Sequence, residues 1–135
     1  MTIHILGNRG MLGSYMESFL STQYHCVGYS RQQFDVIEDI NNLDKIKLSS
    51  GDDTVVNCIG TIKPQIESIG ETNSFVVNSL FPRLLAQYCY DQRATMFRIT
   101  TDCVYSGARG EYKEDDPADQ LDSYGLSKHL GEPSN

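Results

Sequence analysis

The sequence predicts an α/β fold in which helices cover a doubly wound parallel sheet. Short apolar runs of strand length alternate with amphipathic stretches of helix length, and three glycines cluster where the first strand meets the first helix. With 135 residues, 39% of them hydrophobic, the chain is long enough to bury a core. We therefore interpret residues 1–135 as one domain.

The order of elements is β-α-β. Runs rich in β-branched and aromatic residues predict strands at Thr2–Leu6, His25–Tyr29, a short one near Phe34–Val36, Thr54–Ile59 and Thr95–Thr100. Apolar residues three and four apart predict helices at Met11–Ser21, Ile40–Leu48, Asn73–Arg93 and Tyr124–Gly131. In the third helix Pro82 predicts a kink or a first-turn restart. The apolar stripe predicted for its core side is Phe75, Val76, Leu80, Leu84, Leu85 and Tyr88.

Composition excludes several classes of function. A net charge of −7 without a cluster of Lys or Arg disfavours nucleic acid and membrane surfaces as partners. The four cysteines show no C-x-x-C spacing, so we predict reduced thiols and no metal site. The first strand starts without a signal-peptide pattern, which favours the cytoplasm. Six of the eighteen carboxylates lie between Glu111 and Asp122, which predicts an exposed loop.

A glycine-rich turn follows the first strand. Gly7, Gly10 and Gly13 have G-x-x-G-x-x-G spacing and lead directly into a helix. Such a turn brings backbone amides and a helix N-terminus up to a pyrophosphate, and this context predicts a Rossmann-like dinucleotide site. The spacing also fits a strand-to-helix turn without a ligand. Arg9 either faces a phosphate or is a surface arginine.

The second predicted strand is followed by Ser30 and Arg31. An NAD-preferring site usually places an acidic residue here to bind the ribose hydroxyls, whereas an arginine suits a 2′-phosphate. We therefore expect NADP(H) to be favoured over NAD(H). Asp35 is the remaining candidate to meet the adenine end of the cofactor.

Polar residues end two later strands, and a tyrosine and a lysine follow them. Gly60 and Thr61 come after the fourth strand, and Thr101 after the fifth, at the carboxyl edge where ligands bind to parallel sheets. Tyr124 and Lys128 lie four residues apart, so a helix capped by Asp122 or Ser123 places them on one face. An ammonium near a phenol favours the phenolate, which predicts proton transfer by Tyr124.

These motifs, in this order, resemble the extended short-chain dehydrogenase/reductases. They are the glycine turn, Asn-x-x-Gly at Asn57–Gly60, Thr-Thr-Asp at Thr100–Asp102, and Tyr-x-x-x-Lys at Tyr124–Lys128. Within that superfamily the chain is similar to the dTDP-4-dehydrorhamnose reductase-like family over nearly all of its length. Family members are longer, so the resemblance implies a cofactor-binding part without the last strands and the substrate lobe, either as a fragment of a longer protein or as a naturally short chain.

The resemblance implies a role for each matched residue. Tyr124 is the general acid, Lys128 tunes it and binds the nicotinamide ribose, Thr101 hydrogen-bonds the ketone and Asp102 sits beside the substrate. The pyrophosphate is held by Gly7, Gly10, Met11, Leu12 and Gly13. The ribose and nicotinamide half is lined by Ile59, Gly60 and Thr61. Asn78 either serves as a recurrent family asparagine or packs the helix.

The implied reaction is reduction of a 4-keto-6-deoxy sugar nucleotide by NAD(P)H. Family dehydratases resemble Thr-Asp-Glu where this chain has Cys103, so the chain lacks one of their acid–base groups. An epimerase, a non-catalytic nucleotide-binding or regulatory module, and a smaller short-chain dehydrogenase are the alternatives. The implied partner is a nucleotide-linked sugar, and a homodimer is compatible with the family. Little or no turnover is expected from this chain alone.

Overall fold

A computed structural model describes residues 1–49 and 51–132, and it confirms the α/β fold. The strands are β1 (Thr2–Leu6), β2 (His25–Tyr29), β3 (Thr54–Asn57) and β4 (Thr95–Arg98). They form one sheet in the order β2-β1-β3-β4, and every pairing is parallel. Parallel strands end at a common edge, so the loops after β1, β2, β3 and β4 meet there.

Six α-helices lie in the described part of the chain. They are α1 (Met11–Leu20), α2 (Val36–Asp39), α3 (Lys63–Ile69), α4 (Glu71–Phe75), α5 (Phe81–Asp91) and α6 (Ser123–Leu130). Short 3₁₀ turns occur at Leu43–Lys45 and Asp102–Val104, and a π-helical turn, Val76–Leu80, joins α4 to α5. Within residues 1–49 and 51–132, no helix is long and apolar enough to cross a membrane.

The sheet buries both of its faces. On one side Ile3, Ile5 and Val56 pack with Met16 and Leu20 of α1. The larger core on the other side consists of Leu6, Tyr29, Phe34, Val36, Ile46, Val55, Val77, Phe81, Leu85 and Cys89. Because successive strand residues point to opposite faces, β1 contributes to both cores.

Two predicted elements between β2 and β3 are wrong. No strand forms near Phe34–Val36, because the Asp35 carboxylate accepts a hydrogen bond from the Ile37 N–H (2.9 Å) and starts α2 at Val36. No helix spans Ile40–Leu48, since the backbone adopts an extended conformation at Ile46. The side chain of Ile46 is fully buried in the larger core. Burial of single apolar side chains therefore overrides the helical spacing here.

In the helical segment from Glu71 to Asp91, the side chains that face the core are only partly the ones that the spacing predicts. The π turn shifts the side chains, so Val77, Phe81, Leu85 and Cys89 are buried whereas Leu80 and Leu84 are exposed. Regular α-helix resumes at Phe81 with Pro82 in the first turn, as a restart requires. Helix α3, which the sequence analysis did not predict, also carries a proline, Pro64, in its first turn.

Strands β3 and β4 end two residues earlier than predicted. The side-chain oxygen of Asn57 accepts a hydrogen bond from the Ile59 N–H (3.0 Å), and the chain leaves the sheet at this turn. The segment from Glu111 to Asp122 contains no helix or strand and is mostly exposed, as predicted. The cysteines Cys26, Cys58, Cys89 and Cys103 are free.

A buried polar cluster lies between β1 and β3. The Asp53 carboxylate accepts hydrogen bonds from the Thr2 N–H (2.9 Å), the Ser49 N–H (2.7 Å) and the Ser49 hydroxyl (2.9 Å), and lies 3.4 Å from Nε2 of His4. Nδ1 of His4 lies 3.1 Å from the Tyr29 hydroxyl. Burial opposes the charge of Asp53, but these hydrogen bonds outweigh it and lower its pKa to about 2.

We expect Asp53→Asn to lower the free energy of unfolding at pH 7 by about 1–2 kcal/mol, because several buried donors lose a charged acceptor. Asp53 contributes stability above its unfolded pKa of 3.8, and this is lost as pH falls towards 2. Burial lowers the pKa of His4 below 6.5, so acid also destabilises the fold through His4 below that pH. Urea unfolding from pH 7 to pH 2 measures both effects. The exposed Asp52→Asn is the control, and equal losses in both variants would contradict the prediction.

Candidate cofactor and active site

The glycine turn after β1 has the geometry that its spacing predicts. Gly7 adopts a φ of 78°, donates its N–H to the Tyr29 carbonyl (2.9 Å), and accepts the Gly10 N–H (2.9 Å). Gly13, in the first turn of α1, is buried, and a Cβ there would overlap the Gly7 carbonyl oxygen. Met11 is 93% exposed. The first amides of α1 therefore point to an open surface where an anion can be bound.

A cavity of about 740 Å³ extends along the carboxyl edge of the sheet from this turn. Eight of the predicted site residues line it, namely Gly7, Arg9, Gly10, Arg31, Asp35, Ile59, Gly60 and Thr61. The predicted residues Met11, Leu12, Gly13 and Ser30 flank these positions in the chain without forming the wall. The cavity thus joins the ends of β1, β2 and β3, which are far apart in sequence.

Asn78 fixes the wall of the cavity after β3. Its side chain accepts a hydrogen bond from the Thr61 N–H (2.8 Å) and donates to the Thr61 carbonyl (2.9 Å) and to the Ser127 hydroxyl (3.0 Å). Only 1% of Asn78 is exposed. The π turn that contains Asn78 therefore connects the Gly60–Thr61 segment to α6. These contacts agree with the second of the two roles considered for Asn78, the packing of its helix.

Helix α6 carries both predicted proton-transfer residues. Asp122 is its N-cap, since the Asp122 carboxylate accepts the Gly125 N–H (2.8 Å), which decides between the two cap candidates. Lys128 is 7% exposed, and its ammonium donates to the Ile99 carbonyl (2.7 Å). Nζ also lies beside Gly60, 3.6 Å from where a Cβ would stand. Lys128 therefore reaches the edge of the cavity.

Burial, together with the positive charge of Arg98, lowers the pKa of Lys128 to about 8. Arg98, at the end of β4, donates from Nη2 to the Lys128 carbonyl (2.6 Å) and to the Asn78 carbonyl (3.3 Å). Arg98 is not among the residues predicted for the site, because arginines in strands are usually solvated. Its contacts show that one guanidinium connects β4, the π turn and α6.

Tyr124 is half-buried, and its ring faces a second lysine. Nζ of Lys63 lies 5.9 Å from the centroid of the Tyr124 ring and 2.6 Å from the Asp122 carboxylate. Lys63 begins α3, 61 residues before Tyr124, so no local pattern in the sequence indicates the contact. The phenol is thus flanked by a cation that only the tertiary structure brings close.

Thr101 and Asp102 follow β4 in a tight turn. The Thr101 hydroxyl accepts the Cys103 N–H (3.2 Å) and lies 3.4 Å from the Asp102 carboxylate. Gly125, buried in α6, approaches the Cys103 carbonyl so closely that a Cβ would overlap it. This contact places the turn beside the N-terminal end of α6, where Tyr124 lies, and outside the wall of the cavity.

Comparison with known proteins identifies the family. The model of a family described as RmlD substrate binding domain matches residues 1–134. The chain belongs to this family. A dTDP-4-dehydrorhamnose reductase of Streptomyces griseus is 34% identical to it over 79 residues, which are 58% of this chain and 26% of that protein.

Solved structures show the same fold as this RmlD-family chain. The dTDP-4-dehydrorhamnose reductase of Bacillus anthracis, in complex with NADP, has a TM-score of 0.79 at 22% identity, covering 96% of this chain and 47% of that one. A short-chain dehydrogenase/reductase superfamily protein of Agrobacterium tumefaciens with bound NAD has a TM-score of 0.77 at 22% identity, covering 97% and 43%. The RmlD-family chain therefore spans about half the length of these proteins, or less.

Proposed function

We propose that the chain is the cofactor-binding part of an NAD(P)H-dependent reductase of nucleotide-linked 4-keto-6-deoxy sugars. One observation carries the proposal. The wall of the cavity contains both a glycine turn suited to a pyrophosphate and Gly60, beside which the Lys128 ammonium lies. A pyrophosphate site and a tyrosine–lysine helix beside the same cavity are what a nicotinamide dinucleotide requires.

The described residues fit such a cofactor. Gly13 lets α1 approach the turn so closely that a side chain is excluded, and the first amides of α1, those of Met11 and Leu12, have no partner within the helix and can bind an anion. Arg31, at the end of β2, is 81% exposed beside the cavity and matches a 2′-phosphate. We therefore favour NADP(H), while the relatives with bound NADP and with bound NAD support either nicotinamide cofactor.

In the proposed reaction a bound nicotinamide would supply a hydride to the carbonyl carbon of the ketone. The Tyr124 hydroxyl donates a proton to the ketone oxygen as charge develops on it, and the Thr101 hydroxyl donates a hydrogen bond to the same oxygen. Lys63 faces the Tyr124 ring, and the Lys128 ammonium, held at the Ile99 carbonyl, is proposed to bind the nicotinamide ribose. Asp102 lies next to Thr101 and is proposed to contact the sugar.

Since the chain spans about half the length of its relatives, cofactor binding is the activity that we propose for it alone. Titration of the chain should change the fluorescence of NADPH more strongly than that of NADH, because Arg31 suits the 2′-phosphate. Gly13→Val is the matched control, since its side chain would meet the Gly7 carbonyl, and circular dichroism would check that it folds. A wild-type chain that binds neither cofactor contradicts the proposal.

A further inference from the structure

Arg31 and Asp35 form an ion pair in the wall of the cavity. Nε of Arg31 donates to Oδ2 of Asp35 at 2.6 Å, and both residues line the cavity near the end of β2. The side chain of Arg31 is 81% exposed, whereas that of Asp35 is 17% exposed. The sequence analysis assigned the two residues separate roles, but the structure joins them into one unit.

Asp35 is the fixed member of this pair. Its Oδ1 accepts the Ile37 N–H (2.9 Å) as the cap of α2, and its own N–H donates to the Asp39 carboxylate (3.0 Å). Partial burial opposes its charge, but hydrogen bonds from Arg31 and from the Ile37 N–H outweigh this and hold the pKa of Asp35 below its usual value. The carboxylate therefore stays charged and in place, while the exposed arginine can change partner.

We propose that Asp35 sets the preference between NADPH and NADH by competing with the 2′-phosphate for Arg31. This inference rests on the proposed function and adds to it a residue that determines cofactor specificity. A guanidinium has five N–H donors in a planar fork, and here Nε is committed to Asp35. A phosphate that binds the Arg31 guanidinium must either displace the Asp35 carboxylate from it or share the guanidinium with that carboxylate.

The charges around the pair explain the direction of the effect. The wall of the cavity carries two negative charges, from Asp35 and Glu38, and two positive ones, from Arg31 and from Arg9 in the glycine turn, so Arg31 is not in excess over the acids beside it. A 2′-phosphate adds up to two further negative charges beside a carboxylate that cannot move away. NADH carries no phosphate at this position, so its binding leaves the Arg31–Asp35 pair intact.

Asp35→Asn tests the proposal in the chain itself. Asparagine caps a helix as well as aspartate does, so α2 should be preserved. We expect the ratio of the NADPH to the NADH dissociation constant to fall about 5- to 10-fold, from the released arginine and the lost repulsion, since loss of any contact between Asp35 and the adenine end affects both cofactors equally. Both constants are measured by fluorescence titration at one fixed ionic strength, because salt screens these charges.

Asp39→Asn is the matched control. Asp39 belongs to the same helix, pairs with Lys45 (2.7 Å) and does not line the cavity, and the asparagine oxygen can still accept the Asp35 N–H that the Asp39 carboxylate accepts. The control removes the same charge and should leave the ratio of the two constants within about 2-fold of the wild-type ratio. An effect of Asp39→Asn as large as that of Asp35→Asn would overturn the proposal, since it would reflect net charge alone.

The double variant Arg31→Gln, Asp35→Asn tests the competition itself. In the Arg31→Gln background, Asp35→Asn should improve NADPH binding by less than half as much as in the wild type, because no arginine is released. An unchanged improvement overturns competition as the mechanism. If the wild-type chain binds both cofactors and Asp35→Asn leaves their ratio unchanged, this inference alone fails. If the wild-type chain binds neither, the proposed function fails and the inference falls with it.

Discussion

Tyr124→Phe, made in an active protein that contains this chain, should lower the rate of ketone reduction by about 10²- to 10⁴-fold, the usual contribution of a general acid. The substitution removes only the hydroxyl and keeps the ring that faces Lys63. NADPH affinity should therefore stay within about 2-fold of the wild type, since we propose that the phenol acts on the ketone. Oxidation of NADPH with a 4-keto sugar nucleotide measures the rate.

Tyr90→Phe is the control for this result. Tyr90 lies in α5 and is 79% exposed, so loss of its hydroxyl should leave both rate and cofactor affinity unchanged. Full reduction activity in Tyr124→Phe would refute the proposed acid. A large loss of NADPH affinity would show instead that the hydroxyl holds the cofactor.

Lys128→Met should stabilise the fold at pH 7 by about 2–3 kcal/mol. The folded protein holds an ammonium that is 7% exposed, and burial, together with the charge of Arg98, lowers its pKa from 10.5 to about 8. Lowering a pKa by one corresponds to a penalty of about 1.4 kcal/mol on the charged form, and the hydrogen bond to the Ile99 carbonyl offsets part of the total. Methionine fills a similar volume without the charge.

The lowered pKa of Lys128 also predicts how the stability of the wild type changes with pH. Between pH 8 and pH 10.5 the unfolded chain keeps the Lys128 proton and the folded chain loses it, so wild-type stability should rise with pH across this window. In Lys128→Met this rise should be absent. Urea unfolding at pH 7, 8.5 and 10 measures both, with the partly exposed Lys45→Met as control. A Lys128→Met variant less stable than the wild type at pH 7 would contradict this.

A gain in stability on removing Lys128 would support a functional role for it. Buried charges reduce stability unless they are fully paired, so a chain that keeps one next to the proposed cofactor cavity has a use for it. We expect the same variant to bind NADPH more weakly, because the proposed contact with the nicotinamide ribose is lost. Stability and cofactor affinity should thus change in opposite directions.

Local patterns predicted the sheet and much of the cavity. Short apolar runs that alternate with helix-like stretches predicted the four parallel strands, and the spacing of the glycines predicted the turn after β1. The short helix α2 was missed, because the apolar residues Phe34 and Val36 predict a strand, and only the structure shows that the Asp35 carboxylate caps Val36–Asp39. The stripe with Leu80 and Leu84 was wrong because the π turn rotates the helix, and no spacing rule anticipates an inserted residue.

By itself, the sequence determined which chemistry the chain carries, since residue types at short spacings, such as Gly7 to Gly13 or Tyr124 to Lys128, depend on local geometry alone. Only the tertiary structure decided which charges meet. Lys63 reaches Tyr124, Arg98 reaches the Lys128 carbonyl, and Arg31 binds Asp35 instead of standing free. These contacts arise when separate elements pack together. Their distances fix the strength of each charge interaction, and a sequence does not contain those distances.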